Sequence, residues 1–326
     1  MTLSVYFPAH RFKDVDLLRA RLDRRVRLIH SLELPIPADY KVLVAGRPSR
    51  EQLTASPNLQ TLVIPFSGLP DTTRTLLVEF PDLTVHNIHY NDASTAETAM
   101  GLLLAAAKFI VPIDRTFRKH DWTPRYQRSP SAHLDGKTVL ILGYGAVGRR
   151  VARACRGFGM RVIAVRRNLT SHGLVDIPVQ VYGPSALRQL LPQANVLMLS
   201  LPLTPKTMGL LGANELALLP PRALLVNVGR AEVVDEAALF EFLRDGRLHG
   251  AGLDVWYNYP TDEASRTHTP PSKFPFHELD NVVLSPHRAA HTRESEDQRL
   301  IHLAALLNSA ARGEPLPNRV DPTVGY

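Results

Sequence analysis

The sequence predicts an α/β protein in which a doubly wound parallel sheet is joined to a second α/β domain. Runs rich in β-branched and aliphatic residues alternate with helix-like runs along the chain, which is typical of parallel sheets covered by helices. With 326 residues, 44% of them hydrophobic, the chain is long enough to build two separate cores.

The first part of the chain has predicted strands at residues 3–7, 41–45 and 60–65, with helices near residues 14–24 and 71–80. The second part has six predicted strands, which together with the helices between them make one doubly wound domain. These strands lie at residues 138–142, 161–165, 195–200, 223–228, 251–255 and 282–284.

An amphipathic helix at residues 294–312 follows all six strands, so it should return to the first domain. The predicted domains are therefore residues 1–98 with 293–326, and residues 99–292. The apolar stretch at 100–113 is too short to span a bilayer and predicts a buried or interface helix. Residues 257–279, which contain four prolines, predict a long loop without regular structure.

The composition of the chain limits which partners, cellular compartment and metals we expect. The net charge is +7, but no basic run is interleaved with aromatic residues, so we expect attraction of small anions and no nucleic-acid or membrane partner. A single cysteine, Cys155, permits no disulfide within the chain and favours a reducing compartment. Residues 1–13 carry no export signal, which predicts a cytoplasmic protein. Two histidine pairs lack further ligands, so no metal is expected.

A glycine-rich turn joins the first two strands of the doubly wound domain. Gly143, Gly145 and Gly148 follow an apolar run and begin a segment whose apolar residues recur on one face of a helix. In this context a Gly-x-Gly-x-x-Gly motif predicts dinucleotide binding, because backbone amides and the helix N-terminus can then approach a pyrophosphate.

The end of the second strand predicts which dinucleotide is bound. An acid at this position usually hydrogen-bonds the ribose 2′-hydroxyl, but the chain has Arg166 and Arg167. Two arginines attract a 2′-phosphate, so the sequence favours NADP over NAD. If both are ordinary solvated charges and the acid has simply been lost, NAD remains possible.

Three short motifs at later strand ends contain Arg230, Asp254 and His287. Ligands of open parallel sheets bind outside the carboxyl ends of the strands, so these residues should converge. Hydride transfer to a 2-keto acid needs a cation for the carboxylate and carbonyl, which Arg230 can provide. It also needs a proton donor, and His287 titrates in the right range. Singly, each could be an ion pair, a cap or a loop residue; together they favour a site.

In these motifs the chain resembles the D-isomer-specific 2-hydroxyacid dehydrogenase family, over nearly its full length. The matching segments are residues 96–97, 142–148, 201–207, 227–239, 248–255 and 285–292. The resemblance implies a flavodoxin-like catalytic domain made from both chain ends and a Rossmann cofactor domain. It also implies a homodimer formed largely through the cofactor domains.

The resemblance further implies roles for single residues. Arg230 would bind the substrate and act in catalysis, His287 would donate the proton in reduction, and the backbone amides of Ser67 and Gly68 would hold the substrate carboxylate. Asp254 would hold the nicotinamide carboxamide. The other implied cofactor contacts are Gly143, Gly145, Ala146, Val147, Gly148, Pro202, Thr207 and Val228.

The chain departs from the family at the third catalytic residue, a glutamate five positions after the aspartate of the Leu-Asp-Val motif. Here that position is Tyr259. A carboxylate would raise the pKa of the histidine, whereas a phenol can only orient the ring, as the neutral glutamine of the formate dehydrogenase branch does. Three outcomes stay open: a histidine near its free pKa of about 6.5, a substitute acid from Asp262, Glu263 or Glu278, or weak catalysis with binding retained. Tyr259 could also be a packed aromatic that faces away.

The sequence thus predicts an oxidoreductase that uses NADP(H) on small 2-keto or 2-hydroxy acids, such as glyoxylate or hydroxypyruvate. Two alternatives remain. One is a nucleotide-sensing binding protein on the same fold, similar to the corepressors of this family. The other is a dehydrogenase of another small anion, such as formate or phosphite.

Overall fold

A computed structural model describes residues 2–9, 15–169 and 178–323. The chain forms two compact units, Met1–Asn91 with His291–Tyr326, and Asp92–Ala290. The sequence predicts the crossings after residues 98 and 292. The first crossing comes earlier in the structure, because Asp92 begins a helix that packs within the second unit. Residue 14, where the first predicted helix begins, lies outside the described residues.

The first unit contains a five-stranded parallel sheet among its described residues. Its strands are β1 (Leu3–Tyr6), β2 (Val26–Ile29), β3 (Val42–Val44), β4 (Thr61–Ile64) and β5 (Thr84–Asn87). Its helices in this part of the chain are α1 (Asp16–Arg19), α2 (Arg50–Thr54) and α3 (Asp71–Leu77). The strand order β2-β1-β3-β4-β5 is that of flavodoxin-like folds, which confirms the predicted fold class.

The second unit contains a seven-stranded parallel sheet among its described residues. Its strands are β6 (Thr138–Leu142), β7 (Arg161–Val165), β8 (Gln180–Tyr182), β9 (Val196–Leu199), β10 (Ala223–Asn227), β11 (Leu248–Leu253) and β12 (Val282–Leu284). Its α-helices are α4 (Asp92–Lys108), α5 (Ile110–Phe117), α6 (Thr123–Tyr126), α7 (Ala146–Gly157), α8 (Leu187–Leu190), α9 (Ala213–Leu216) and α10 (Glu236–Arg244). The six predicted strands are present, and β8 is an additional edge strand.

The strand order β12-β11-β10-β9-β6-β7-β8 makes this sheet a Rossmann fold. The direction of winding reverses between β6 and β9, and the crevice at such a point is where ligands bind. Both faces of the sheet are buried: Leu140 and Leu142 belong to one apolar cluster, and Val139 and Ile141 to the other. Burial on both faces explains why β6 is a continuous apolar run.

The apolar stretch at 100–113 is divided between two helices. Phe109 adopts a left-handed conformation, with φ of 53°, between α4 and α5. The apolar residues of α4 are buried against the sheet, as predicted for a core helix. Within the described residues no single helix is long and apolar enough to cross a membrane; α4 and α5 meet the criteria of length and composition only as a pair, bent by 66°.

The C-terminal helix α11 (Ser295–Arg312) lies in the first unit, where Leu303 and Leu307 pack with Val5 and Val44. It ends at Gly313, whose φ of 72° suits a left-handed helix cap.

The prediction of a structureless loop at 257–279 is partly wrong. The segment contains 3-10 turns at Ala264–Thr267 and Phe276–Glu278. Phe276 is buried and packs against Phe240 and Trp256.

Candidate active site

The three glycines of the turn after β6 lie in three different environments. Gly143 has a φ of 101°, and a Cβ there would lie 2.8 Å from the backbone of Ser200. A Cβ on Gly145 would meet no described atom within 4 Å, so this backbone is open to a ligand. A Cβ on Gly148 would lie 2.1 Å from the carbonyl oxygen of Gly143, so α7 can pack against β6 only with glycine here.

The turn fits a pyrophosphate. Ala146 and Val147 form the first turn of α7, and the N-cap residue Gly145 has no side chain that could cap this end. The first amides of a helix have no partner within it, and the helix dipole places partial positive charge there. Open backbone at Gly145 beside these amides is the arrangement that a dinucleotide phosphate needs.

Arg166 and Arg167 lie at the same edge of the sheet as the glycine turn. Leu142 and Val165 are paired in register, and the Gly143 amide donates to the Val165 carbonyl at 3.0 Å. Arg166, the next residue, is half-buried, and Arg167 is exposed. Both arginines therefore directly follow β7, the strand adjacent to the glycine turn, which is where dinucleotide folds hold the ribose 2′ substituent.

The loop after β9 is held by its own hydroxyl groups. The Thr207 Oγ1 donates to the Pro202 carbonyl at 2.7 Å and accepts from the Thr204 amide at 2.8 Å. This loop packs closely on the turn after β10. A Cβ on Gly229 would lie only 2.6 Å from the carbonyl oxygen of Leu201, so this approach needs glycine. Val228 is buried at the start of that turn. Pro202, Thr207 and Val228 thus lie on two loops in contact with each other.

Arg230 follows β10 on a rigid turn. The Asn227 side chain accepts from the Gly229 amide at 3.0 Å and donates to the Arg230 carbonyl at 2.9 Å. The Arg230 guanidinium donates to the Gly229 carbonyl at 2.7 Å, which uses one of its five N–H donors. The fixed turn therefore presents a permanently charged fork at the carboxyl end of the strand.

Asp254 holds the turn that carries His287. Only 1% of Asp254 is exposed, and its carboxylate accepts hydrogen bonds from the Ser285 hydroxyl, the Arg288 amide at 2.8 Å and the Ala289 amide at 3.1 Å. These donors flank His287 on both sides. Asp254 is thus a cap for this turn, whatever contact it makes with a cofactor.

His287 adopts a left-handed backbone conformation, with φ of 55°. This region is costly for residues other than glycine and tends to occur at functional sites. The His287 amide donates to the Ser285 carbonyl at 3.0 Å, and Asp254 stabilises the turn beyond it. The His287 imidazole is therefore carried by a turn after β12 whose backbone conformation is strained.

Tyr259, at the position of the family's glutamate, contacts His287. The two ring centroids lie 5.5 Å apart with an interplanar angle of 54°, so the phenol does not face away from the histidine. Its oxygen accepts from the Trp256 amide at 3.1 Å. Desolvation raises the pKa of Tyr259, opposed by the Trp256 hydrogen bond and the nearby charge of Arg230. Tyr259 is therefore a neutral group that contacts the His287 ring and lies near the charge of Arg230.

The three acids that could replace the glutamate are exposed and have other partners. Asp262 accepts from the Ser265 amide at 2.8 Å, which lowers the pKa of Asp262. Glu263 pairs with Arg266 at 2.8 Å, and Glu278 lies 3.9 Å from the His277 ring. Each of these contacts is made within the loop itself.

Ser67 and Gly68 lie in the first unit, just after β4. The Ser67 hydroxyl donates to the Asn91 side chain at 3.0 Å, and the Ser67 carbonyl accepts from the Asn87 side chain at 2.7 Å. These bonds tie the loop to the end of β5 and to the segment that follows it. Among the described residues, no group of three or more His, Cys, Asp or Glu side chains could hold a metal ion.

Comparisons with known proteins identify similar sequences and structures. The model of the D-isomer specific 2-hydroxyacid dehydrogenase, NAD binding domain, matches residues 100–289. The chain is 35% identical over 236 residues to glyoxylate reductase from Korarchaeum cryptofilum, a match that covers 71% of this chain and 67% of that protein. It is 31% identical over 228 residues to D-3-phosphoglycerate dehydrogenase from Methanocaldococcus jannaschii, covering 70% of this chain but only 41% of that protein.

Among solved structures, a D-isomer specific 2-hydroxyacid dehydrogenase from Xanthobacter autotrophicus Py2, in complex with NADPH and MES, aligns with a TM-score of 0.79 and 25% identity. This match covers 100% of both chains.

Proposed function

The chain belongs to the D-isomer specific 2-hydroxyacid dehydrogenase family, and on this premise we propose that it transfers a hydride between NADP(H) and a small 2-keto or 2-hydroxy acid. The observation that carries the proposal is the grouping of Arg230, Tyr259 and His287 in the loops that follow β10, β11 and β12. They belong to the sheet whose glycine turn suits a dinucleotide. The glyoxylate reductase relative supports a short substrate.

In the proposed reaction the nicotinamide, when bound, supplies or accepts the hydride. Arg230 binds the substrate carboxylate and polarises the carbonyl, because its fork matches a carboxylate and keeps its charge. His287 gives a proton to the alkoxide oxygen during reduction and takes it back during oxidation. The backbone amides of Ser67 and Gly68 are proposed to hold the carboxylate, and Tyr259 to orient the imidazole.

A panel of 2-keto acids, including glyoxylate and hydroxypyruvate, tests the proposal by following the loss of NADPH or NADH absorbance. We expect turnover with short acids. Tight NADPH binding without turnover of any acid would instead support a nucleotide-sensing protein. This alternative remains because Tyr259 stands where the family has a catalytic glutamate. Formate and phosphite, assayed with NADP, test oxidation of another small anion.

The pH profile of reduction should reflect a histidine without the family's glutamate. Reduction requires protonated His287, so the rate falls as pH rises through its apparent pKa. We expect that value below about 7, because neutral Tyr259 supplies no charge to raise it. Tyr259→Glu should move this limb upward by about one unit. Neutral Tyr259→Gln is the control and should not. A wild-type limb clearly above pH 7 would mean that another carboxylate acts.

Cofactor preference should depend on Arg166 and Arg167. Replacing both with alanine is expected to lower kcat/KM for NADPH by about tenfold or more, because charge-assisted hydrogen bonds to the 2′-phosphate are lost. The value for NADH should change by less than about threefold. Arg156→Ala, near the far end of α7, is the matched control. Faster turnover of the wild type with NADH than with NADPH at equal concentrations would contradict this assignment.

We also propose a homodimer, supported by an apolar surface on the second unit. Ile110, Phe117, Trp122 and Tyr126 are about half exposed or more, and the ring centroids of Phe117 and Trp122 lie 4.7 Å apart. Exposed apolar patches mark association surfaces. Sedimentation should give twice the chain mass of 36.2 kDa, and Phe117→Lys should halve it. Val78→Lys, at an exposed apolar residue of the first unit, should leave the mass unchanged. A monomeric wild type would refute the dimer.

We further propose a cytoplasmic location. Cys155 is the only cysteine of the chain, so no disulfide can form within it, and proteins of reducing compartments typically lack disulfides. Fractionation of cells with an antibody against the chain tests this, and recovery of the protein outside the cytoplasm would contradict it.

A further inference from the structure

Three aromatic side chains just after β11 reach the loops that carry Arg230 and His287. We propose that Trp256, Tyr257 and Tyr259 form an aromatic brace, which positions these two loops and takes over the orienting role of the carboxylate that Tyr259 replaces. The inference rests on the proposed function, because it concerns how the reacting groups are aligned. The brace residues are positioning residues: they act through the backbone and the imidazole.

Trp256 forms the arm toward His287. Only 5% of Trp256 is exposed, and its indole N–H donates to the Ser285 carbonyl at 2.8 Å. The same carbonyl accepts from the His287 amide, so the indole holds the peptide on which the left-handed turn is built. The indole packs edge-on against Phe276, with centroids 6.2 Å apart. This burial fixes the direction of the N–H bond.

Tyr257 forms the arm toward Arg230. Its hydroxyl donates to the Val234 carbonyl at 2.8 Å, just beyond the 3-10 turn Ala231–Val233 that follows Arg230. The Tyr257 amide donates to the Pro271 carbonyl at 3.2 Å, which holds the segment from the other side. Burial raises the pKa of Tyr257 well above its ordinary value, so the hydroxyl remains a hydrogen-bond donor. The loop after β10 is thereby tied to the loop after β11.

Tyr259 closes the brace. Its oxygen accepts from the Trp256 amide at 3.1 Å, which folds the segment back on itself, and its ring then lies against the His287 imidazole. A glutamate at this position would orient the imidazole by charge; the phenol orients it by ring contact. The segment 256–259 thus connects the two loops that carry the reacting groups. A displacement of a reacting group by about 1 Å can lower the reaction rate by about two orders of magnitude.

Tyr257→Phe tests the arm toward Arg230, because it removes only the hydroxyl. We expect kcat for glyoxylate with NADPH to fall about tenfold, while KM for NADPH changes by less than twofold. Tyr40→Phe is the matched control: it removes a hydroxyl that donates to the Gln52 carbonyl at 2.5 Å, but in the first unit. It should lower the melting temperature similarly and leave kcat within twofold. An unchanged kcat in Tyr257→Phe, or an equal loss in Tyr40→Phe, would overturn this arm.

A second measurement does not need turnover. In NMR spectra of the cofactor-free protein with labelled histidine, the His287 signal is identified by its loss in His287→Gln. Tyr259→Leu and Tyr257→Phe should both shift this signal, whereas Tyr40→Phe should not. If the wild type reduces no 2-keto acid, the proposed function fails, and this experiment still decides on the brace. Unchanged His287 resonances in both brace variants would refute it.

Discussion

Replacing His287 with glutamine is expected to lower kcat for NADPH-dependent reduction of glyoxylate by about two to four orders of magnitude. Glutamine fills a similar space and can still hydrogen-bond, but it cannot give a proton to the alkoxide. Cofactor affinity, measured by quenching of protein fluorescence with NADPH, should change by less than about twofold. The loss should therefore fall on kcat, not on cofactor binding.

The pH dependence of the variant sharpens the test. The fall in rate attributed to deprotonation of His287 should disappear in His287→Gln, because no group at that position titrates. His277→Gln changes an exposed histidine on the loop before β12 and should retain both rate and pH profile. A loss of less than tenfold in His287→Gln, with the limb preserved, would show that another group donates the proton.

The sequence predicts the sheet best where a continuous apolar run lies between turn residues. The predicted bounds of β6, β7 and β12 equal those observed, because such runs have few other interpretations. By contrast, the strands β2, β5 and β8 are not predicted from the sequence. Their residues include Arg27, His86, Asn87 and Gln180, so no apolar run marks them. Their extended conformation depends on pairing with strands distant in sequence.

The candidate site likewise has a part that the sequence predicts and a part that it does not. Topology alone brings Arg230, Asp254 and His287 to one edge, since each follows a parallel strand. The sequence could not show that the Asp254 carboxylate caps the turn of His287, because those bonds require the left-handed backbone at His287. It also gives no sign of the Tyr257 hydrogen bond to Val234. That contact joins residues 23 positions apart, and no local pattern encodes it.

Arg230→Ala is expected to lower kcat/KM for glyoxylate by about two to four orders of magnitude. The estimate assumes two charge-assisted hydrogen bonds of about 1.5–3 kcal/mol each and about 1.4 kcal/mol per tenfold change in rate. Arg230→Lys should recover only part of the loss, because an ammonium group cannot form the bidentate pair. Arg244→Ala, which removes an exposed guanidinium paired with Asp245 at the end of α10, is the control.

Two further measurements separate the roles of Arg230. Guanidinium added to Arg230→Ala should restore part of the rate, whereas the same salt should not activate His287→Gln, because only the first variant has lost a cation. With an aldehyde that lacks the carboxylate, the ratio of wild-type to Arg230→Ala rates should shrink, since only polarisation of the carbonyl remains to be lost. An equal ratio for the acid and the aldehyde would mean that Arg230 does not bind the carboxylate.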